Sequence, residues 1–136
     1  MAERITQGSV YEEHFSFTQE QVNQFAEVSG DKNPIHIDAQ YAAQTVFKKP
    51  VIHGFLGGSV FSRVLGTRFP GEGTIYMRQD MAFRRPMFVD QRYKAHFEIL
   101  EHHADKHRAL IATVVEDAEG KPVITGEALV QNDRVL

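Results

Sequence analysis

The sequence predicts an α+β fold in which an antiparallel β-sheet wraps around one buried helix. Helical patterns precede a run of strand patterns, and no alternating series of strands and helices is present that would build a parallel sheet. The segment 54–66 is apolar around almost its whole circumference, with Arg63 as its only charge. Such a segment is typical of a helix that protein encloses on all sides.

The first thirty residues predict a strand followed by a short helix. Apolar and polar residues alternate over 11–17, which is the period of a half-buried strand. Thr18 and Gln21 have the spacing of a capping box, and apolar residues then recur at helical spacing until Gly30. We therefore expect a short amphipathic helix that ends at Gly30.

A loop and a second short helix are expected next. Gly30 and Pro34 keep the segment between them out of a regular helix. Asp38 is placed to cap a helix that carries the apolar residues of 41–46 and ends at 48–50, where two lysines precede a proline.

The remainder of the chain predicts strands. A turn at 70–73 follows the apolar segment, and β-branched and aromatic residues then recur in runs that short polar turns separate. The pattern is clearest over 93–99, where apolar and polar residues alternate strictly and give one wet and one buried face. The four predicted strands span 74–83, 89–100, 109–115 and 123–130.

Length and composition exclude several classes of protein. The chain has 136 residues, 42% of them hydrophobic, which predicts a single globular domain over 1–136. Its 15 Lys and Arg against 18 Asp and Glu give a net charge of -3, so the basic surface of a nucleic-acid-binding protein is missing. The absence of cysteine excludes disulfides, thiolate zinc sites and cysteine nucleophiles. We expect a cytoplasmic protein that does not cross a membrane.

Asp31 and His36 are the first candidates for chemistry. They place a carboxylate and an imidazole within six residues, on a segment that is not regular helix. Asp31 can orient or deprotonate a water molecule and His36 can carry a proton, and the addition of water needs both roles. The alternative is that Asp31 forms an Asx turn and His36 is a partly buried packing residue.

Gly54 is the second candidate because it begins the apolar helix. The first backbone N–H groups of a helix have no partner within it and carry a partial positive charge. Such an amide can hold a carbonyl oxygen on which negative charge develops. Alternatively, Gly54 only permits a tight entry into the helix. The hydroxyls of Ser59 and Ser62 are expected to bond back to the same helix.

Two further clusters have weaker claims. The candidates for contacts with phosphate are Lys48, Lys49, Arg84 and Arg85, although paired basic residues at the ends of elements are usually plain surface charge. His102, His103 and His107 lie near a predicted connection between strands. Because consecutive side chains on a strand point to opposite faces, a solvated hairpin explains them better than a metal site.

The segment 25–36 carries a more specific pattern. It reads Phe-Ala-Glu-Val-Ser-Gly-Asp-Lys-Asn-Pro-Ile-His, and Ala42 follows six residues later. This pattern resembles the signature of the MaoC-like R-specific enoyl-CoA hydratases. The stretches that agree with it in order and spacing are 51–56, 70–76 and the run that contains Gln79, Phe83 and Pro86. The resemblance covers 15–90, and Val89-Asp90 stands where the family usually has Gly-Asp.

The resemblance implies a hot-dog fold, with two protomers that join their sheets as a homodimer. It implies the reversible syn addition of water to a trans-2-enoyl-CoA, which gives an (R)-3-hydroxyacyl-CoA. The CoA thioester is then the substrate, and no metal, nicotinamide or flavin cofactor is implied. By the same resemblance Asp31 acts on the water that attacks C3, and His36 shares that water or protonates C2. The Gly54 amide holds the thioester oxygen, with Asn33 and Ser62 in support.

Other functions stay open at this point. A dehydratase that acts on acyl carrier protein, or a hydratase for branched or dicarboxylic enoyl-CoA, would carry the same residues. A hot-dog thioesterase is disfavoured because its carboxylate typically lies elsewhere on the fold. A non-catalytic acyl-CoA binding module is disfavoured by the presence of both Asp31 and His36. The candidates for lining an acyl pocket, equally suited to a core, are Tyr41, Val46, Phe47, Val51 and Ile52.

Overall fold

The chain folds into four helices and a six-stranded sheet, as a computed structural model of residues 5–136 describes. In chain order the elements are β1 (Val10–Phe15), α1 (Gln19–Ser29), α2 (Pro34–Ile37), α3 (Ala39–Ala43), α4 (Gly54–Thr67), β2 (Ile75–Gln79), β3 (Ala82–Phe83), β4 (Tyr93–His103), β5 (Arg108–Glu116) and β6 (Pro122–Gln131), with a 3-10 turn at Ala104–Lys106.

The sheet is antiparallel throughout. Its strand order is β1-β4-β5-β6-β2, and β3 pairs with β6 beyond the end of β2. The long strands β4, β5 and β6 are consecutive in the chain and adjacent in the sheet, because hairpins join antiparallel neighbours directly. The 3-10 turn between β4 and β5 closes at His107, whose φ of 56° is left-handed. The antiparallel sheet predicted from the sequence is confirmed.

Helix α4 occupies the core against this sheet. Its 14 residues span about 21 Å, and apolar side chains from several sides of the helix are buried. The ring of Phe61 meets the ring of Phe97 from β4 edge-on, with centroids 5.8 Å apart. This arrangement confirms the predicted hot-dog fold. Over residues 5–136, no helix has the length and apolar character needed to span a membrane.

Glycines allow α4 to approach its neighbours closely. A Cβ atom on Gly57 would lie 2.7 Å from Sδ of Met87 and 3.1 Å from Cδ1 of Ile124, and one on Gly58 would overlap the sulfur of Met81. Such distances are shorter than van der Waals contact. These contacts fix where the helix lies and therefore where it begins.

The helices before α4 follow the predicted signals, with two differences. The capping box of α1 forms, and the Asp38 carboxylate accepts hydrogen bonds from the backbone N–H groups of Gln40 and Tyr41, both at 3.0 Å. However, α3 ends at Ala43, so the helix expected to extend over 41–46 is shorter than predicted. In addition, residues 34–37 form the short helix α2 instead of a plain loop.

Two predicted strands have different limits. The strand expected over 74–83 is divided into β2 and β3 at Asp80. Asp80 is itself bonded to β6, because its N–H donates to the Glu127 carbonyl at 3.0 Å and its carboxylate accepts from the Glu127 N–H at 3.2 Å. The strand expected over 89–100 begins only at Tyr93 and continues to His103, because the left-handed φ of Asp90, 61°, turns the chain first.

The enclosure of α4 predicts a specific loss of stability. Val64 in α4 is 0% exposed and Val28 in α1 is 84% exposed, so they form a matched pair of helical valines. We expect Val64→Ala to lower the free energy of unfolding by about 2 kcal/mol, because two buried methyl groups are lost and a cavity remains. Val28→Ala should change it by less than about 0.5 kcal/mol. Urea unfolding followed by circular dichroism measures both, and equal losses would contradict the enclosure.

Candidate active site

The candidate site lies where α4 begins, beside the segment that links α1 to α3. It brings together side chains from three places in the chain. A carboxylate oxygen of Asp31 and one ring nitrogen each of His36 and His53 all lie within 4.8 Å of one another. The structure thus places Asp31 beside His36, and it adds His53, which the sequence analysis did not select.

The loop that carries Asp31 is shaped by local hydrogen bonds. Gly30 ends α1 with a left-handed φ of 77°, and its N–H donates to the carbonyl of Ala26 at 2.9 Å. The Asp31 carboxylate accepts from the backbone N–H of Asn33 at 3.3 Å, which is the Asx turn considered above. This bond leaves the exposed carboxylate with free acceptor capacity.

Asn33 follows this loop as the N-cap residue of α2. Its side-chain oxygen accepts from the backbone N–H of Ile35 at 3.3 Å and caps α2. Pro34 follows as the first helical residue, where its missing N–H costs nothing. Because α2 carries His36, Asn33 supports the site through the orientation of this helix, and its carbonyl accepts a hydrogen bond from the backbone N–H of His36 at 3.0 Å.

The imidazole of His36 is oriented by a backbone carbonyl. Its Nδ1 lies 2.8 Å from the carbonyl oxygen of Val51. A carbonyl only accepts, so Nδ1 carries the hydrogen and Nε2 of the neutral ring keeps its lone pair. The Gln19 side chain also donates to the His36 carbonyl at 2.9 Å. The ring therefore presents one unprotonated nitrogen.

His53 lies directly under this ring. The imidazoles of His36 and His53 are stacked, with centroids 3.8 Å apart and an interplanar angle of 27°. The Nε2 of His53 is 3.0 Å from the carbonyl oxygen of Asp31, and the ring of Phe25 lies 4.8 Å away. Burial lowers the pKa of His53, and the neighbouring His36 lowers it further.

The N-terminus of α4 is the third part of the site. His53 is its N-cap residue, and no side chain caps this end with a hydrogen bond. The first N–H groups of the helix, that of Gly54 foremost, thus remain available to a ligand. A Cβ on Gly54 would lie 2.7 Å from Cε1 of Phe83, so only glycine fits there without displacing the Phe83 ring.

A cavity of about 480 Å³ opens beside His36 and Gly54. Its wall is mostly apolar, which suits an acyl chain better than a sugar or a peptide backbone. The residues that line it are His36, Phe47, Val51, Ile52, Gly54, Phe55, Phe83, Arg84, Arg85, Pro86, Met87 and Ile124.

The predicted acyl-pocket residues divide into two groups at this cavity. Phe47, Val51 and Ile52 line it. Tyr41 and Val46 do not line it, and their contact with an acyl chain stays a prediction. Both side chains are exposed, because α3 buries only its Ala42 face and the chain has left the helix before Val46.

The predicted phosphate-binding residues divide in the same way. Arg84 and Arg85 are exposed and line the cavity. Each side chain donates one hydrogen bond, Nε of Arg84 to the Thr125 hydroxyl at 3.1 Å and Nη1 of Arg85 to the Pro122 carbonyl at 2.7 Å. Lys48 and Lys49 do not line the cavity.

Ser62 lies on a different cavity. It follows Gly54 by eight residues, about 12 Å along the helix axis, and it lines a second space of about 480 Å³. The structure therefore does not place Ser62 beside Asp31 and His36 of the same chain. The lining residues of this second cavity are Phe55, Gly58, Ser59, Ser62, Tyr76, Met77, Arg78, Gln79 and Met81. Burial raises the pKa of Tyr76 to about 12.

Several imidazole nitrogens in the two histidine clusters already have hydrogen-bond partners. In the stacked pair of His36 and His53, each ring already directs one nitrogen at a backbone carbonyl. Each neutral ring therefore keeps only one nitrogen that could bind an ion. In the other cluster, His107 is bound to the carbonyl of Leu136 at 2.7 Å and His103 lies 3.3 Å from the carboxylate of Glu101.

R-specific hydratases are among the known proteins to which this chain is similar. The (R)-specific enoyl-CoA hydratase of Aeromonas caviae is 40% identical over 111 residues, which make up 82% of this chain and 83% of that protein. The solved structure of an (R)-hydratase from A. caviae involved in PHA biosynthesis matches with a TM-score of 0.91 at 36% identity, covering 94% of this chain and 97% of the other. An unliganded R-hydratase from Pseudomonas aeruginosa matches with a TM-score of 0.89 at 40% identity, covering 94% and 82%.

The match to a protein family is equally extensive. The model of the MaoC-like domain matches residues 1–120, a range that contains α1 to α4, the first five strands and every residue of the Asp31, His36, His53 and Gly54 group. The chain belongs to the MaoC-like domain family.

Proposed function

We propose that this protein is an R-specific enoyl-CoA hydratase, a hydro-lyase that adds water reversibly to a trans-2-enoyl-CoA and forms an (R)-3-hydroxyacyl-CoA. The observation that carries the proposal is the meeting of Asp31 and His36 beside the uncapped start of α4, next to an apolar cavity. The similarity to R-specific hydratases over most of the chain supports the same reaction.

The pair of Asp31 and His36 is proposed to act on one water molecule. The Asp31 carboxylate accepts a hydrogen bond from the water and orients it, and Nε2 of His36 accepts one of its protons. The hydroxyl then bonds to C3, and the proton passes to C2, so that the atoms of one water are added across the double bond. Because both groups approach from one side, hydroxyl and proton reach the same face, which gives syn addition.

The backbone amide of Gly54 is proposed to bind the thioester oxygen. Attack at C3 moves electrons through C2 onto that oxygen, where negative charge develops. A donor fixed in advance at such an oxygen contributes about 3 kcal/mol to the lowering of a barrier. The partial positive charge of the α4 N-terminus acts in the same direction. The proposed reaction uses only polarisation and proton transfer, and no metal, nicotinamide or flavin takes part in it.

Substrate binding is proposed to use both kinds of wall in the cavity. The apolar side chains of Phe47, Val51 and Ile52 would contact the acyl chain. Arg84 and Arg85 would contact the CoA phosphates, since guanidinium groups match phosphate oxygens in geometry and charge. Lys48 and Lys49 would attract the negatively charged CoA from a longer distance.

A homodimer is proposed to form through β2. This strand ends the sheet order, so one side of its backbone has no neighbour among residues 5–136. Large apolar side chains of Phe55, Ile75, Tyr76, Met77 and Phe83 are exposed near this edge. A second copy that pairs with β2 would satisfy the backbone groups and cover this apolar patch.

Removing either member of the pair should abolish most of the activity while leaving the fold intact. We expect Asp31→Asn and His36→Ala each to lower kcat for crotonyl-CoA hydration by about 10²-fold to 10⁴-fold, the usual contribution of a general acid or base. Loss of the enoyl-thioester absorbance measures the rate. The matched controls are Asp105→Asn and His103→Ala, which change exposed residues at the β4–β5 hairpin. Near-normal turnover of either site variant would refute the assigned roles.

A methyl group at Gly54 should also impair the reaction. Gly54→Ala would displace either the Phe83 ring or the start of α4, and a displacement of about 1 Å in an active site lowers the rate by about 10²-fold. Gly66→Ala is the control, because it lies in the same helix with no atom within 4 Å of the added Cβ. Steady-state kinetics compares the two. Equal kcat values for both variants would contradict the role of Gly54.

The proposed dimer is tested by placing a charge on the exposed strand edge. We expect the wild type to show about twice the 15.4 kDa chain mass in light scattering. Met77→Asp should yield monomer, since a charge cannot be buried there without a partner. Val46→Asp alters an exposed apolar residue away from β2 and should leave the dimer intact. A monomeric wild type would rule the dimer out.

A further inference from the structure

His53 touches every part of the proposed site, although the proposed reaction uses none of its atoms. It precedes Gly54 in the chain, its ring is stacked on His36 at 3.8 Å, and its Nε2 lies 3.0 Å from the Asp31 carbonyl. Only 1% of the residue is exposed. A group so enclosed has no room for a reacting water, so any effect it has on the reaction must pass through its neighbours.

The hydrogen bond to Asp31 fixes the protonation state of His53. A carbonyl only accepts, so Nε2 carries the hydrogen and donates it. The other nitrogen, Nδ1, is buried and has no hydrogen-bond partner among the described residues. A second proton on Nδ1 would therefore be a buried donor without an acceptor, which is costly. The groups that face the ring are His36 from α2, Asp31 from the preceding loop and the apolar Phe25 from α1.

The same bond is the long-range attachment of the Asp31 loop. Among the described hydrogen bonds of Asp31, its N–H donates to the Ser29 hydroxyl and its carboxylate accepts from Asn33, each only two residues away. The bond from His53 spans 22 residues and ties the loop to the start of α4. Without it, none of the described hydrogen bonds of Asp31 would hold this residue at a fixed distance from Gly54.

We propose that His53 is a positioning residue: its Nε2–H holds the Asp31 loop and its ring supports the His36 imidazole, so that both reach one water beside the Gly54 amide. This inference rests on the proposed function, because it assumes that Asp31 and His36 act together. The effect is on geometry. It should therefore appear in kcat, which depends on the alignment of the reacting groups, more than in KM.

Two substitutions separate the two contacts of His53. His53→Phe keeps an aromatic ring under His36 and loses the donor. His53→Gln keeps an N–H donor near the position of Nε2 and loses the ring. We expect His53→Phe to lower kcat for crotonyl-CoA by about 100-fold, the scale that follows a displacement of about 1 Å, with KM within about threefold of the wild type. The kcat of His53→Gln should be at least about tenfold higher than that of His53→Phe.

A control variant isolates the hydrogen bond from general packing. Phe25→Leu removes an aromatic neighbour of His53 but touches neither of its described contacts with Asp31 and His36. Its kcat should stay within about threefold of the wild type, even where its melting temperature falls. Equal loss of kcat in His53→Phe and His53→Gln, or wild-type kcat in His53→Phe, would overturn the proposal.

The role of His53 can also be tested on the wild type, without relying on a variant that folds. Nitrogen-15 NMR of the imidazoles should show His53 protonated at Nε2 and His36 protonated at Nδ1. His53 should remain neutral as the pH falls through 6.5, the ordinary histidine pKa, because burial lowers its pKa. Protonation of His53 at Nδ1 in an active enzyme would overturn the positioning role alone. The expected tautomers in a wild type that hydrates no enoyl-CoA would overturn the proposed function, and the role of His53 with it.

Discussion

The arrangement of the site depends on the enclosure of α4 by the sheet. Close contacts at Gly57 and the packing of Phe61 against Phe97 fix the position of the helix. Its first residue is thereby held beside the loop that carries Asp31. Because no side chain caps this helix end, its N–H groups remain directed at the cavity. The packing that fixes α4 in the core thus also places the partial positive charge of its N-terminus at the site.

Two backbone carbonyls fix the tautomers of the histidines in the site. One accepts from Nδ1 of His36 and another accepts from Nε2 of His53, so the two stacked rings hold their hydrogens on opposite nitrogens. A carbonyl cannot exchange donor and acceptor roles, and it therefore sets a tautomer more firmly than a hydroxyl would. This order leaves one lone pair, on Nε2 of His36, for chemistry beside the exposed carboxylate of Asp31.

Local patterns predicted much of this structure, and long-range contacts account for the rest. The apolar segment 54–66, the capping box of α1 and the alternation in β4 depend on neighbours in the sequence, and they predicted the fold. Asp31 and His36 were found because they lie within six residues. Asp80, where β2 and β3 are divided, bonds to a residue 47 positions away, and His53 stacks on a ring 17 positions earlier in the chain. Neither contact leaves a periodic pattern that sequence analysis can detect.

In the proposed reaction, one water is delivered to one face of an enoyl thioester. Hydration of crotonyl-CoA in deuterium oxide, with the product analysed by proton NMR, tests it most directly. The expected product is (R)-3-hydroxybutyryl-CoA that carries a single deuterium at C2, in the configuration that syn addition gives, with the thioester bond intact. An S product, deuterium at C2 in the configuration of anti addition or in both configurations, or release of free CoA thiol would contradict this mechanism.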